Sequence, residues 1–182
     1  MDLRDIKEFF RDCFGYIVTF VIIAFILTFV VAFHPVAGNS MVPTLEEGNV
    51  ALVSKSHQFI FGVKKNQIVI VKKEGKTYIK RVVGLPGEEV HYLNNVLYVN
   101  DTPYKENFLG SGVTTNNFMF EDICSKEDCP DGKIPDGYYL VLGDNRNESI
   151  DSRDNNFGLV KKNEIKGVVI VNIWPLDSIN IL

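Results

Sequence analysis

From Phe14 to Phe33 the chain carries no charged residue, and only Gly15, Tyr16, Thr19 and Thr28 interrupt an apolar run of 20 residues. At about 1.5 Å per helical residue such a run spans the roughly 30 Å hydrocarbon core of a bilayer, so the pattern predicts a transmembrane helix over 14–33. A cleaved leader would have a shorter apolar stretch, about 7–15 residues, behind a plainly basic lead. Here Arg4, Lys7 and Arg11 alternate with four acids, which favours an anchor. Those three basic residues precede the run and none follows it until Lys55, which puts residues 1–13 in the cytoplasm and residues 34–182 outside. Leu3, Ile6, Phe9, Phe10 and Cys13 fall near helical spacing and extend the helix backwards, whereas His34-Pro35 ends it, because proline disfavours helical φ/ψ in its predecessor.

Beyond Pro35 the period changes to two. Asn49–Ser54, Gln67–Val71 and Tyr78–Val83 read as strands, the last two joined by a turn within Lys72–Lys76. Phe59-Ile60-Phe61 admits two readings, a core strand or an exposed apolar lip that dips into the bilayer. Gly84-Leu85-Pro86-Gly87 is a tight turn, and Val90–Tyr92 with Val96–Val99 forms another hairpin. Residues from about 101 to 136 are polar and rich in Gly, Asn and Asp, which marks an insertion. Tyr138–Leu142 and Ile165–Trp174 resume the strand pattern, and Pro175 ends it. Many short strands without alternating amphipathic helices predict a mainly β domain, a barrel or sandwich, behind the N-terminal transmembrane helix.

Charge and cysteines narrow the chemistry. With 19 basic and 23 acidic residues, net charge −4 and no Lys/Arg block, the chain offers no nucleic-acid surface. His34, His57 and His91 are isolated, and Cys124 and Cys129 have no partners at zinc spacing, so neither a metal nor any other cofactor is expected. The same two cysteines leave a short-loop disulfide open, and Cys13 stands at the start of the apolar run.

The candidate chemistry centres on Gly38-Asn39-Ser40-Met41-Val42-Pro43-Thr44-Leu45, where Pro43 constrains a turn carrying a serine hydroxyl just past the anchor. Serine needs a base. No histidine has supporting context, and Val42 replaces the second glycine of a G-x-S-x-G elbow. Lys80 is the better candidate. Alternation along Tyr78–Val83 sets it on one face with Tyr78 and Val82, with Arg81 on the other, and a lysine on an apolar face loses hydration and can be neutral near physiological pH. The bland alternative is an edge-strand lysine that reaches water. A third constellation, Gly143 to Arg153, is no calcium loop, because Arg146 and Ser149 occupy positions that need Asp or Asn and Gly. Asp144, Arg146, Asp151 and Arg153 are read instead as charge-assisted pairs that hold a polar turn rigid.

Taken together, the anchor, Ser40–Leu45, Lys80–Glu88 and Gly143–Arg153 resemble the type I signal peptidases, membrane-anchored serine proteases with a Ser-Lys dyad. A lysine base and a single span look like the bacterial, Gram-positive branch. The resemblance implies Ser40 as nucleophile, Lys80 as general base, Ser149 as a hydroxyl orienting the Lys80 amine, and Asp144, Arg146, Asp151 and Arg153 as the supporting charges. Met41 would line the substrate pocket. The Ser40 backbone N–H would bind the oxyanion, while Gly38 stands where some relatives supply a second donor from serine. The implied substrates are exported preproteins with signal peptides, cut at the membrane surface without a cofactor. The alternative is a degenerate, membrane-tethered β module that binds a partner.

Overall fold

The computed structural model describes residues 3–110 and 112–182. Met1, Asp2 and Ser111, and with them two positions of the expected cytoplasmic segment and one of the expected insertion, lie outside the described residues, as do the side chains of Leu3, Arg4, Asp5, Ile6 and Phe9. Helix α1, Leu3–Phe25, continues through a π-helical turn at Ile26–Val30. Within it, Phe10–Val30 is a 21-residue stretch apolar enough to cross a membrane. The expected span ran to Phe33, and here the structure differs. Val31–Pro35 is an extended strand, β1, paired antiparallel with β2 (Val50–Ser54). β-branched and aromatic Val31 and Phe33 satisfy a pleated edge as readily as a helix, and hydropathy alone does not separate the two.

The larger sheet contains β1, β2, β3 (Ile68–Lys73), β4 (Lys76–Gly84), β8 (Tyr138–Leu142), β9 (Val160–Lys161) and β10 (Ile165–Trp174) in the order β1-β2-β10-β3-β4-β8-β9, with β11 (Asn180–Ile181) beside β10. It is mainly antiparallel and stays open, so the barrel expectation holds only loosely. The β3–β4 turn contracts to Glu74-Gly75, both with left-handed φ (51° and 78°), between the paired Lys73 and Lys76. That backbone twist matches the strands it joins, and glycine adopts it freely. A smaller sheet is formed by β5 (Val90–Leu93), β6 (Val96–Val99) and β7 (Thr102–Tyr104).

β3 and β4 are buried on both faces. Val69, Val71 and Val82 pack with Val141 and Val160 on one side, and Ile68, Ile70 and Ile79 with Met41 and Leu45 on the other. A third core joins the two sheets through Val83, Tyr92, Leu97, Leu140 and Leu142. The expected polar insertion is less separate than its composition suggests. Its first residues form β7, and Phe118, Phe120, Cys129 and Ile134 enter the third core, so scattered apolar residues rather than periodicity anchor it. Cys124 and Cys129 are disulfide-bonded, with Cα atoms 5.9 Å apart. Of the two readings of Phe59-Ile60-Phe61, the core strand is excluded. Phe59 and Ile60 lie in a short helical turn, α2 (His57–Ile60), and the three side chains are 77%, 66% and 61% exposed.

Candidate active site

Ser40 lies on a tight turn between β1 and β2, on which the Thr44 and Leu45 N–H groups donate to the Met41 carbonyl (2.8 and 3.0 Å). Met41 and Leu45 are fully buried and hold the turn against Ile68, Ile70 and Ile79. At its entry Gly38 has φ +80°, a left-handed conformation that a side chain would strain. The Lys80 Nζ is 2.6 Å from Ser40 Oγ. The two residues are 40 positions apart, and the fold brings them together where Met41, next to Ser40, packs in one core with Ile79, next to Lys80.

Lys80 is only 2% exposed. Burial is the largest influence on it and lowers its pKa from 10.5 to about 8; Asp151 and Asp144 oppose the shift and Arg153 adds to it. The ammonium loses water that the protein does not replace in full, so the neutral amine gains. The neighbouring carboxylates are engaged by arginines. Arg153 Nη2 is 2.8 Å from Asp151, and Arg81 meets Asp144 through two bonds, Nε to Oδ1 (2.8 Å) and Nη2 to Oδ2 (2.5 Å).

The expected rigid turn exists, but two of its partners come from elsewhere. Asp144 pairs with Arg81, not with Arg146; it also accepts from Thr44 Oγ1 (2.5 Å), tying the loop to the Ser40 turn. Arg146 pairs with Glu106 and donates to Thr115 Oγ1 (3.1 Å) and to the Gly143 carbonyl (3.0 Å). Asp151 and Arg153 pair with each other, and Asp151 also accepts from the Gly143 N–H (2.9 Å). Sequence reasoning missed Glu106 and Asn145. The Asn145 N–H donates to the Ser40 carbonyl (3.0 Å), and its side chain donates to the Asn39 carbonyl (3.1 Å). Their distance along the chain hid them; the position of Arg81 beside Lys80 was the one local signal for Asp144's partner.

Gly143 is fitted closely. A Cβ there would fall 2.2 Å from Ser149 Oγ and 2.4 Å from the Ser40 carbonyl, so any side chain would displace the Ser40 turn. Ser149 Oγ is buried and has no hydrogen-bond partner among the described residues, so the expected bond to the Lys80 amine is not formed.

Above the pair is a cleft of about 90 Å³, lined by Val36, Gly38, Met41, Ile79 and Lys80 among others. His34 also lines it, but its Nδ1 lies 2.9 Å from the Pro35 carbonyl and it makes no bond to Ser40. A larger apolar groove of about 760 Å³ shares His34 with this cleft and continues past Ala32, Val53, Phe59 and Ile70. It is the roomier cavity but holds neither Ser40 nor Lys80, so the chemistry belongs to the smaller one. Chemically, a serine beside a neutral, buried amine can attack a carbonyl and pass its proton to nitrogen.

A family model described as "Signal peptidase, peptidase S26" matches residues 9–174. The chain is similar to signal peptidase I of Bacillus caldolyticus, 38% identical over 166 residues that cover 86% of this chain and 87% of the relative. It is also 34% identical over 180 residues to signal peptidase IB of Staphylococcus aureus, covering 94% and 93%. Among solved structures, a signal peptidase I from Enterococcus faecalis superposes with a TM-score of 0.50 at 31% identity, over 58% of this chain and 95% of that one.

Proposed function

This chain belongs to the signal peptidase family, peptidase S26, a family of membrane-anchored proteases that remove signal peptides, and from that premise we propose that Ser40 and Lys80 are its catalytic pair. The observation that carries the reading is the 2.6 Å separation of Lys80 Nζ from Ser40 Oγ in a site where burial lowers the lysine's pKa. Neutral Lys80 takes the hydroxyl proton as Ser40 attacks the scissile carbonyl, returns it to the leaving amine, and then activates water against the acyl-enzyme. The Ser40 N–H receives the oxyanion. Gly38, being glycine, adds no hydroxyl, so the second donor is a backbone group or water. Ser149 hydroxyl, unpartnered beside Gly143, is available to orient the lysine as it changes charge.

A cleft of about 90 Å³ accepts a small side chain such as alanine before the cut, with Met41 as part of its wall. The substrate's upstream apolar segment would continue along the larger groove from His34 toward β1 and the anchor. Arg4, Lys7 and Arg11 at the N-terminal end of α1 support a cytoplasmic N-terminus and an outer catalytic domain, and one candidate span among the described residues suits a Gram-positive cell.

The test is the pH dependence of preprotein cleavage by the full-length protein in detergent. The base must be unprotonated, so kcat/KM should rise with pH through an apparent pKa near that of Lys80, about 8, and then level off. A rate independent of pH from 6 to 9, with chemistry limiting, removes Lys80 as base.

Phe59, Ile60 and Phe61 project from the domain and would lie in the interfacial layer of the bilayer. A chain lacking residues 1–30 should bind phospholipid vesicles, and Phe59→Ser with Phe61→Ser should weaken that binding several-fold; sedimentation with vesicles reads the change, and undiminished binding rejects the contact.

A further inference from the structure

We infer that Glu89, His91 and Asp101 form a divalent-cation site on the smaller sheet. One carboxylate oxygen from Glu89, one from Asp101 and one ring nitrogen of His91 lie within 4.8 Å of one another, the separation at which three groups can share one ion. Glu89, the residue just before β5, and His91 within it are two apart and so project from one face, while Val90 and Tyr92 enter the core from the other. Asp101 comes from the β6–β7 turn. That turn is held against Glu89 by two bonds, Asn100 N–H to the Glu89 carbonyl (2.9 Å) and Glu89 N–H to Asn100 Oδ1 (3.0 Å).

The imidazole is the independent sign of a ligand. His91 is 7% exposed and stacked on Tyr98 with ring centroids 5.0 Å apart, yet its buried Nδ1 has no hydrogen-bond partner among the described residues. A buried polar side chain normally finds a partner, and one that does not calls for an explanation. Neither carboxylate takes part in an ion pair among the described residues. Two carboxylates and an imidazole suit a borderline divalent ion of the zinc or manganese kind, with water completing its shell on the exposed Asp101 side. The absence of Cys/His spacing led the sequence reading to expect no metal. Hairpin pairing, not spacing, assembles this set. The cluster shares no residue with the Ser40 cleft, so the ion would brace β5 against the β6–β7 turn and take no part in peptide cleavage.

The test uses the full-length protein in detergent, freed of metal with a chelator that is then removed. Titration with ZnCl2 by calorimetry should show one saturable equivalent, and the thermal unfolding midpoint should rise with zinc concentration, as it does for any ligand that binds only the folded state. Asp101→Asn tolerates the left-handed turn and should fold and cleave preprotein normally, while its zinc affinity falls at least about tenfold, since even outer partners of metal ligands are worth that much. His91→Gln should do the same. Zinc affinity unchanged in Asp101→Asn, or the lack of any saturable binding in the wild type, overturns the site.

Discussion

Replacing Ser40 by alanine or Lys80 by methionine is expected to reduce preprotein cleavage by the full-length protein to background, a loss of about 10⁶-fold in kcat if the pair acts as a unit. The double variant should be no worse than either single one, because a hydroxyl without its base and a base without its hydroxyl are equally idle. Lys80→Arg should be as inactive, since guanidinium stays protonated. Stability should move the other way for Lys80→Met. The folded pKa, about 8, lies below the unfolded 10.5, so the folded state holds fewer protons between those values. The cost of burying the ammonium is therefore fully present below pH 8, about 3 kcal/mol at 1.36 kcal/mol per unit, and fades as pH rises toward 10.5. Lys80→Met should thus unfold at a higher temperature than the wild type at pH 6, with the difference shrinking at alkaline pH. Residual cleavage in both single variants, with additive loss in the double, would show that the two do not act together.

The second large effect is expected at the Arg81–Asp144 pair. Both side chains are buried, at 7% and 0% exposure, and removing one partner leaves an uncompensated charge. Arg81→Met or Asp144→Leu should each cost about 3–5 kcal/mol, whereas the double replacement by apolar groups should recover most of that loss. Activity should not recover with it. Asp144 binds Thr44 on the Ser40 turn, and the next residue, Asn145, binds the Ser40 carbonyl, so the pair positions Ser40 as well as holding the fold. Denaturant unfolding beside cleavage rates separates the two roles. A double variant that regained both would reduce the pair to a structural one.

Part of this was legible locally. The anchor, the strands β2, β3, β4, β8 and β10 and the β5–β6 hairpin are signals of period and run length, and Ser40, Lys80 and the Gly143–Arg153 segment stand in short motifs whose residue types already limit the chemistry. The Phe59-Ile60-Phe61 segment was not decidable, because an apolar triplet reads alike on a core strand and on an exposed turn. Nor was the end of the helix, since Val31 and Phe33 suit both a membrane and a strand edge.

The amino-acid sequence by itself determined that this is a membrane-tethered, mainly β chain with a constrained serine and a lysine placed on a strand, because those properties depend on hydropathy, period and residue type within a few positions. Only the tertiary structure decided which groups meet: Ser40 with Lys80 across 40 residues, Asp144 with Arg81 across 63, Arg146 with Glu106, and Glu89 and His91 with Asp101. These contacts are set by strand order and register, and a charged side chain carries no mark of which distant partner the fold will bring within hydrogen-bonding distance.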